Sequence, residues 1–290
     1  MKTLFDDATL AQISNGATAQ NKTTKKSYRE QFIDAFTILA RSYGKHRIFE
    51  DFAQMSSLSL SQTAKQTVGL PKDEKDEDDY MSIVKRYKPD EVQKLAYLLT
   101  LTINGLEYEK GDWLGEIYGH LQIGNTALGQ FFTPFHICKM MAEMAGTPEE
   151  IQEQIDNDGF IMLSEPCCGG GAMAIAYADV LKEHGFNPAV SMFAVARDLS
   201  SVAAAMCHVQ LSLYGIPAVV QHADSLTDSV LWSRFTPVYY WYGWSRKLAA
   251  RKKAQESKST EQESNEINPL IETSDELKAC GIDDCAEHVI

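Results

Sequence analysis

The sequence predicts a mixed α/β protein, with a parallel, doubly wound sheet preceded by an all-helical module. Three observations carry this expectation. Between Phe160 and Asp224, short apolar runs alternate with helix-compatible stretches, the β-α-β-α-β rhythm of a parallel sheet. Over the first 125 residues, apolar positions recur at three- and four-residue steps instead. A triple glycine, Gly169-Gly170-Gly171, joins one apolar run directly to a helix start. At 290 residues the chain can hold one large domain or two smaller ones with a real core.

Each element follows from local chemistry. Residues 1–26 are polar and irregular and are expected as a flexible arm. Ser27 and Glu30 make a capping box, opening a helix whose Tyr28, Phe32, Ile33, Phe36, Leu39 and Ala40 share a face. A second helix is expected from Ile48 to Leu60. Pro71 to Asp79 is dense in acids and is expected as a solvated loop. Pro89-Asp90-Glu91 opens a strong helix through Val92, Leu95, Leu98, Leu99 and Ile103, with proline where a first turn tolerates it. After Gly124 comes a loop, then a helix from His136 to Ala145. Phe160–Leu163, Ser191–Ala196 and Ala218–His222 are expected strands, with a helix from Ser201 to Tyr214 between the second and third. A fourth strand is expected from Val238 to Tyr242. The resulting division is an arm (1–26), a helical module (27–125), an α/β domain (126–245) and a polar tail, helical or disordered (246–290).

Composition narrows the function. The net charge of −13 excludes a chain that coats nucleic acid by bulk electrostatics. Local basic clusters remain: Lys2, Lys22, Lys25, Lys26, Arg29, Arg41, Lys45 and Arg47 near the start, and Arg246, Lys247, Arg251, Lys252 and Lys253 near the end. Each suits a solvated face or phosphate contact. No apolar stretch is long enough to span a bilayer, and the N-terminus has no signal-peptide pattern. The six cysteines are scattered; Cys167 and Cys168 suit reduced packing residues, and Cys280 and Cys285 lack the partners of a zinc site. A reduced, cytoplasmic protein with no metal is the expectation.

The segment Ser164-Glu165-Pro166-Cys167-Cys168-Gly169-Gly170-Gly171-Ala172-Met173 carries the chemistry. Glycines let a ligand approach the backbone, and a helix start offers free N–H groups. The spacing matches neither G-x-G-x-x-G nor a phosphate loop, which lacks its Gly-Lys-Ser/Thr here. A carboxylate at the strand end, Glu165, suits a cationic or hydroxyl-bearing ligand better than a pyrophosphate. Such a turn also serves tight packing alone.

Four segments in order resemble the N-6 adenine DNA methylase family, especially the modification subunits of type I restriction systems and their plasmid or phage relatives. They are Gly129-Gln130-Phe131-Phe132-Thr133-Pro134, Glu165 to Gly171, Asp198 at the second strand end, and Asp224-Ser225-Leu226 after the third. The resemblance spans roughly residues 28 to 240. It implies a Rossmann-like S-adenosylmethionine-dependent methyltransferase core over 126–245, with S-adenosylmethionine as cofactor. It also implies DNA as a partner, through the helical module and basic residues, and a specificity or partner subunit in a restriction-modification or mobile-element system. The cofactor-binding residues it implies are Phe131, Phe132, Thr133, Glu165, Pro166, Gly169, Gly171, Asp198 and Asp224. Glu165 suits the ligand's ammonium, Thr133 its carboxylate, Asp198 the ribose hydroxyls and Asp224 the adenine amine. Phe131 and Phe132 suit adenine packing or the core equally, and both aspartates also suit helix caps.

One departure accompanies the match. Active relatives carry Asn/Asp-Pro-Pro-Tyr/Phe after the fourth strand, where the side-chain oxygen accepts from the target amine and the ring stacks the flipped base. Here the corresponding residues are Thr236-Pro237-Val238-Tyr239, so Thr236, Pro237 and Tyr239 stand as a degenerate catalytic set. A hydroxyl is a weaker acceptor than a carboxamide or carboxylate. The sequence thus leaves open an adenine-N6 DNA methyltransferase, and a catalytically inactive cofactor-binding relative acting as partner or regulator. A dinucleotide oxidoreductase fits the glycine spacing poorly.

Overall fold

The computed structural model describes residues 26–123 and 132–265. α1 (Tyr28–Tyr43) begins at the expected capping box: Ser27 Oγ accepts from the Glu30 N–H, and the Glu30 carboxylate accepts from the Ser27 N–H at 2.8 Å. Gly44, at φ 85°, breaks the chain before α2 (Lys45–Thr67). α2 outruns the expected Ile48–Leu60, because its polar residues Ser56, Ser57, Ser61 and Gln62 are buried against neighbours and do not mark an end. The expected acidic loop is instead largely helical, as α3 (Glu74–Val84). Asp73 caps it through the Asp76 N–H, and Glu74, Asp76 and Glu77 sit in its first turn, where the helix dipole favours negative charge. α4 (Pro89–Tyr108) starts at its proline as expected, and α5 (Trp113–His120) is a helix the periodicity did not single out.

The remainder runs α6 (Phe135–Glu143), α7 (Pro148–Asp158), β1 (Ile161–Glu165), α8 (Ala172–Glu183), a short α9 (Pro188–Ser191), β2 (Met192–Asp198), α10 (Ser201–Tyr214), β3 (Ala218–Asp224), β4 (Ser229–Phe235), α11 (Pro237–Trp241) and α12 (Trp244–Asn265). The sheet order is β1-β2-β3-β4. β1, β2 and β3 are parallel, with Glu165 opposite Ala196 and Asp198 opposite His222. Their carboxyl ends, Glu165, Asp198 and Asp224, therefore share one edge of the sheet.

The fourth strand is not where the sequence reading put it. β4 is a hairpin partner of β3, antiparallel, with Asp224 opposite Ser229 and Val219 opposite Phe235. Asp228, at φ 56°, turns the chain straight back after β3. The expected strand Val238–Tyr242 falls on α11, where Pro237 occupies the first turn and starts a helix.

α10 is the centre of the molecule. Its Ala203, Ala205, Met206 and Val209 join a core built from Phe32, Phe36, Phe49, Phe52 and Trp113 of the preceding helices. Its Ala204, Cys207 and Leu211 join a second core with α8 and the parallel strands. A smaller cluster of Phe160, Phe193, Val219 and Trp244 includes the start of α12. No helix among the described residues is long and apolar enough to cross a membrane.

A buried polar chain ties α10 to α2 and β4. Phe235 offers only a carbonyl, so His208 Nε2 donates to it at 3.1 Å and Nδ1 accepts from Ser57 Oγ at 3.0 Å. Arg234 Nη1 donates to Ser57 Oγ and to Gln54 Oε1, both at 3.1 Å, while its guanidinium lies over Trp232. Burial, with the nearby Arg234 charge, pushes the His208 pKa down to about 3. Below pH about 6.5 the unfolded chain binds a proton that folded His208 refuses. Its contribution is thus fully present above that pH and is lost as pH falls toward 3. Denaturant melts should lose about 2 kcal/mol from this residue between pH 7 and pH 5. His208→Gln should remove that part of the slope; an unchanged slope would contradict the assignment.

Candidate functional site

β1 ends at Glu165 and the chain turns through Pro166–Gly171 into α8. The turn is held by its surroundings. Cys168 N–H donates to Arg197 O at 2.7 Å, Gly169 N–H to Asp198 Oδ2 at 2.8 Å, and the Ser225 hydroxyl to Pro166 O at 2.6 Å. Its glycines are demanded by close neighbours. A Cβ on Gly170 would lie 2.6 Å from Asp112 Oδ1, and one on Gly169 would lie 2.9 Å from the Phe132 ring. Gly171 has φ 93°, a conformation side chains resist.

These parts surround a cleft. It is lined by Phe132, Thr133, Glu165 and Gly169, which are among the expected cofactor-binding residues, and by others outside that set, including Asp112, Cys138, Gly170 and Met173; the expected Pro166, Gly171, Asp198 and Asp224 are not among its lining residues. α8 begins there without a side-chain cap, leaving first-turn N–H groups for a ligand. No lysine or arginine is among the residues lining the cleft. Burial raises the pKa of Glu165, and the Asp198 charge adds to it against a bond from the Cys167 N–H. Burial also raises that of Asp112, against bonds from Gln210 and the Gly115 N–H. Both carboxyl groups are thus held partly out of water at the cleft. No cluster among the described residues could hold a metal ion, and Cys138, Cys167, Cys168 and Cys207 are free thiols.

The strand-end aspartates have structural partners. Asp198 Oδ1 accepts from the Ser200 N–H at 2.8 Å, opposite the bond that Oδ2 accepts from Gly169. Asp224 is on the same edge, where its Oδ1 accepts from the Leu226 N–H at 2.9 Å, closing its own turn and holding its pKa down. Phe131, with Gly129 and Gln130, lies outside the described residues.

The degenerate catalytic set does not join this edge. Thr236 is fully buried; its Oγ1 donates to Ile216 O at 2.8 Å and accepts from the Ala218 N–H at 2.9 Å. Ala218 opens β3, so Thr236 sits at the opposite end of the sheet from Glu165, Asp198 and Asp224. Pro237 is buried beside it, and Tyr239 stacks on Phe235 at 3.9 Å. Thr236, Pro237 and Tyr239, expected as a degenerate catalytic set, thus lie away from the glycine turn, a placement set by the antiparallel course of β4. Two members of the basic clusters hold internal contacts. Arg29 pairs with Glu109 and Glu116, and Arg251 binds Asp158 and the Phe160 carbonyl.

Asp112 and Gln210 are the site residues that motif reading missed. Asp112 is visible only as a capping residue before Trp113-Leu114-Gly115, and Gln210 only as a polar residue inside an apolar helix.

Two substitutions separate the two edges. Gly170→Ala should cost about 1–3 kcal/mol in a denaturant melt, because the methyl meets Asp112 and Gln210. Thr236→Val should cost about 1–3 kcal/mol through unpaired buried groups while leaving ligand affinity at the cleft unchanged. Calorimetry that showed an affinity loss in the Thr236 variant would contradict this geometry.

No curated protein and no solved structure matches the chain. A family model for N-6 DNA Methylase matches residues 109–264, more than half of the chain, from just before Asp112 into α12. The chain belongs to the N-6 DNA methylase family.

Proposed function

We propose that the cleft binds S-adenosylmethionine and that the chain is an adenine-N6 DNA methyltransferase-like protein of a restriction-modification or mobile-element system. The observation that carries the reading is the glycine turn, strapped to Asp198 and opening onto an uncapped helix start beside two partly desolvated carboxylates. The residues present fit the group: side-chain-free backbone at the turn, acids for its positive charge, and strand-end carboxylates for its hydroxyls and amine. In this reading the three parallel strands with α8 and α10 are the cofactor half of a Rossmann-like methyltransferase core.

The residue roles follow from position. Glu165 supplies negative charge at the strand end, and Thr133 and the α8 N-terminus suit a carboxylate. Asp198 stands where acids in dinucleotide folds meet ribose hydroxyls, and Asp224 completes the edge. Phe132 offers an aromatic wall. When bound, the cofactor supplies an activated methyl group. DNA, and a partner subunit that selects its sequence, are the partners this reading implies.

A second reading, in which the chain binds the cofactor without transferring its methyl, is favoured by one specific observation. Thr236-Pro237-Val238-Tyr239 is tied into the far edge of the sheet, with its hydroxyl committed to backbone partners. A methyl-transfer assay with labelled cofactor and DNA separates the two; label in DNA supports transfer, and tight binding without label supports the second.

Calorimetry tests the shared claim. S-adenosylmethionine should bind and NAD should not, and Asp198→Ala should weaken binding by about tenfold or more, about 1.4 kcal/mol. Binding of NAD in place of S-adenosylmethionine would overturn the proposal.

A further inference from the structure

β1 has one open side, and that side is self-complementary. In β2 the Ala194 N–H donates to Pro217 O at 3.0 Å, toward β3. Successive residues of a strand turn their backbone groups to opposite sides, so Phe193, Val195 and Arg197 face β1. Val195 lies opposite Ser164, and in a parallel ladder its bonds go to the residues on either side, Leu163 and Glu165. Phe160, Met162 and Ser164 therefore point their backbone groups away from β2, where no described strand follows. The molecule closes both ends of this side itself. Arg251 Nη1 donates to Phe160 O at 2.7 Å; Pro166 has no N–H, and its carbonyl accepts from the Ser225 hydroxyl at 2.6 Å. What is left is Met162 and Ser164, whose backbone N–H and C=O groups have no partner among the described residues.

An unpaired strand is a template for another strand, and β1 has no proline, lysine or bulge to prevent pairing. Its surroundings are apolar. β2 and β3 are buried over most of their length, whereas Ser164 is exposed and Met162 and Leu163 are only half-buried. The helices step sideways as the strands do. α10 packs on β2 and β3, α8 on α10 and β1, and α6 on α8. α6 thus carries the helical layer toward the open side, and its Met140 and Met141, with the following Met144, are exposed. Flexible thioethers repack readily against a partner.

We propose that a second copy of this chain pairs with the open side of β1, antiparallel about a two-fold axis at Leu163. Met162 then lies opposite the partner's Ser164, and Ser164 opposite the partner's Met162. Each pair exchanges two hydrogen bonds, so every open group on both copies is satisfied at once. The register is fixed. A shift of two residues sets Ser164 against the partner's Phe160, or Met162 against the partner's Pro166, whose carbonyls are already taken. Leu163, which packs toward α8, meets its own copy, and the exposed methionines of both α6 helices belong to that same face. The acids of α7 precede the start of β1, and antiparallel pairing keeps those of the two copies at opposite ends. The result is one sheet running through both copies, with a glycine turn at each end.

Sedimentation of the full chain, with amide hydrogen exchange, tests this. The wild-type chain should be a dimer at micromolar concentration. Its Met162 and Ser164 amides should exchange slowly there and quickly once dilution separates the copies. Ser164→Pro removes only an outward N–H, so the pairing of β1 with β2 is kept. It should raise the dimer dissociation constant by about tenfold or more while circular dichroism stays unchanged. A chain that is monomeric throughout that range overturns the proposal, as does a dimer in which the two amides still exchange quickly. Slow exchange of both amides in the monomer overturns it too, since another segment of this chain, such as residues 266–290, then covers β1. Should Ser164→Pro not fold, the concentration dependence of the two wild-type amides decides the matter.

Discussion

The amide of Gln210 is the interaction on which the site depends. One side chain joins α5, the glycine turn and α10 by donating to Asp112 and Gly170 and accepting from Leu114. It does so from a helix that has no exposed face to spare. α10 is buried against the early helices on one side and against the sheet on the other, and Ala203, Ala204 and Ala205 let both approach closely. A polar side chain there must be fully satisfied, since each unpaired buried group costs about 1–3 kcal/mol. Gln210 is satisfied on both its oxygen and its nitrogen. The early helices are thus a wall of the cleft as well as a neighbour of the sheet.

His208 plays the matching part at the other end of the sheet. It lies two residues before Gln210, is as deeply buried, and joins Ser57 of α2 to the end of β4. With Arg234 it holds β4 against the helices, and Thr236 then pins the chain to the start of β3. The edge that bears the glycine turn is left to Glu165, Asp198 and Asp224. The glycine-turn cleft and the segment resembling a catalytic motif are separated by the length of a strand.

Much of this was readable beforehand, for physical reasons that differ by element. The capping box at Ser27, the proline-led helix at Pro89 and the helix Ser201–Tyr214 carry strong local signals, and each appears where expected. The parallel strands carry apolar runs bounded by polar ends. β4 was missed because Ser-Val-Leu-Trp-Ser-Arg-Phe lies at an edge, and its alternation is interrupted by a bulge opposite His222 and Ala223. Pro237-Val238-Tyr239-Tyr240 has the composition of a strand but starts with a residue that favours a helix's first turn. The acidic run after Pro71 was read by charge alone, whereas Asp73 as cap makes those acids helix-stabilising. Within the site, glycines and strand-end acids announce themselves by type and place. Asp112 does not, because its role comes from a contact nearly sixty residues along the chain with Gly170.

The most direct measurement of the central claim is a crystal structure of the chain with S-adenosylhomocysteine. The account predicts the ligand in the cleft beside Gly169 and Gly170, its amino-acid end toward Glu165 and the start of α8, and its ribose toward Asp198. A ligand bound at the Thr236 edge, or with its amino-acid end turned away from the glycine turn, would contradict it.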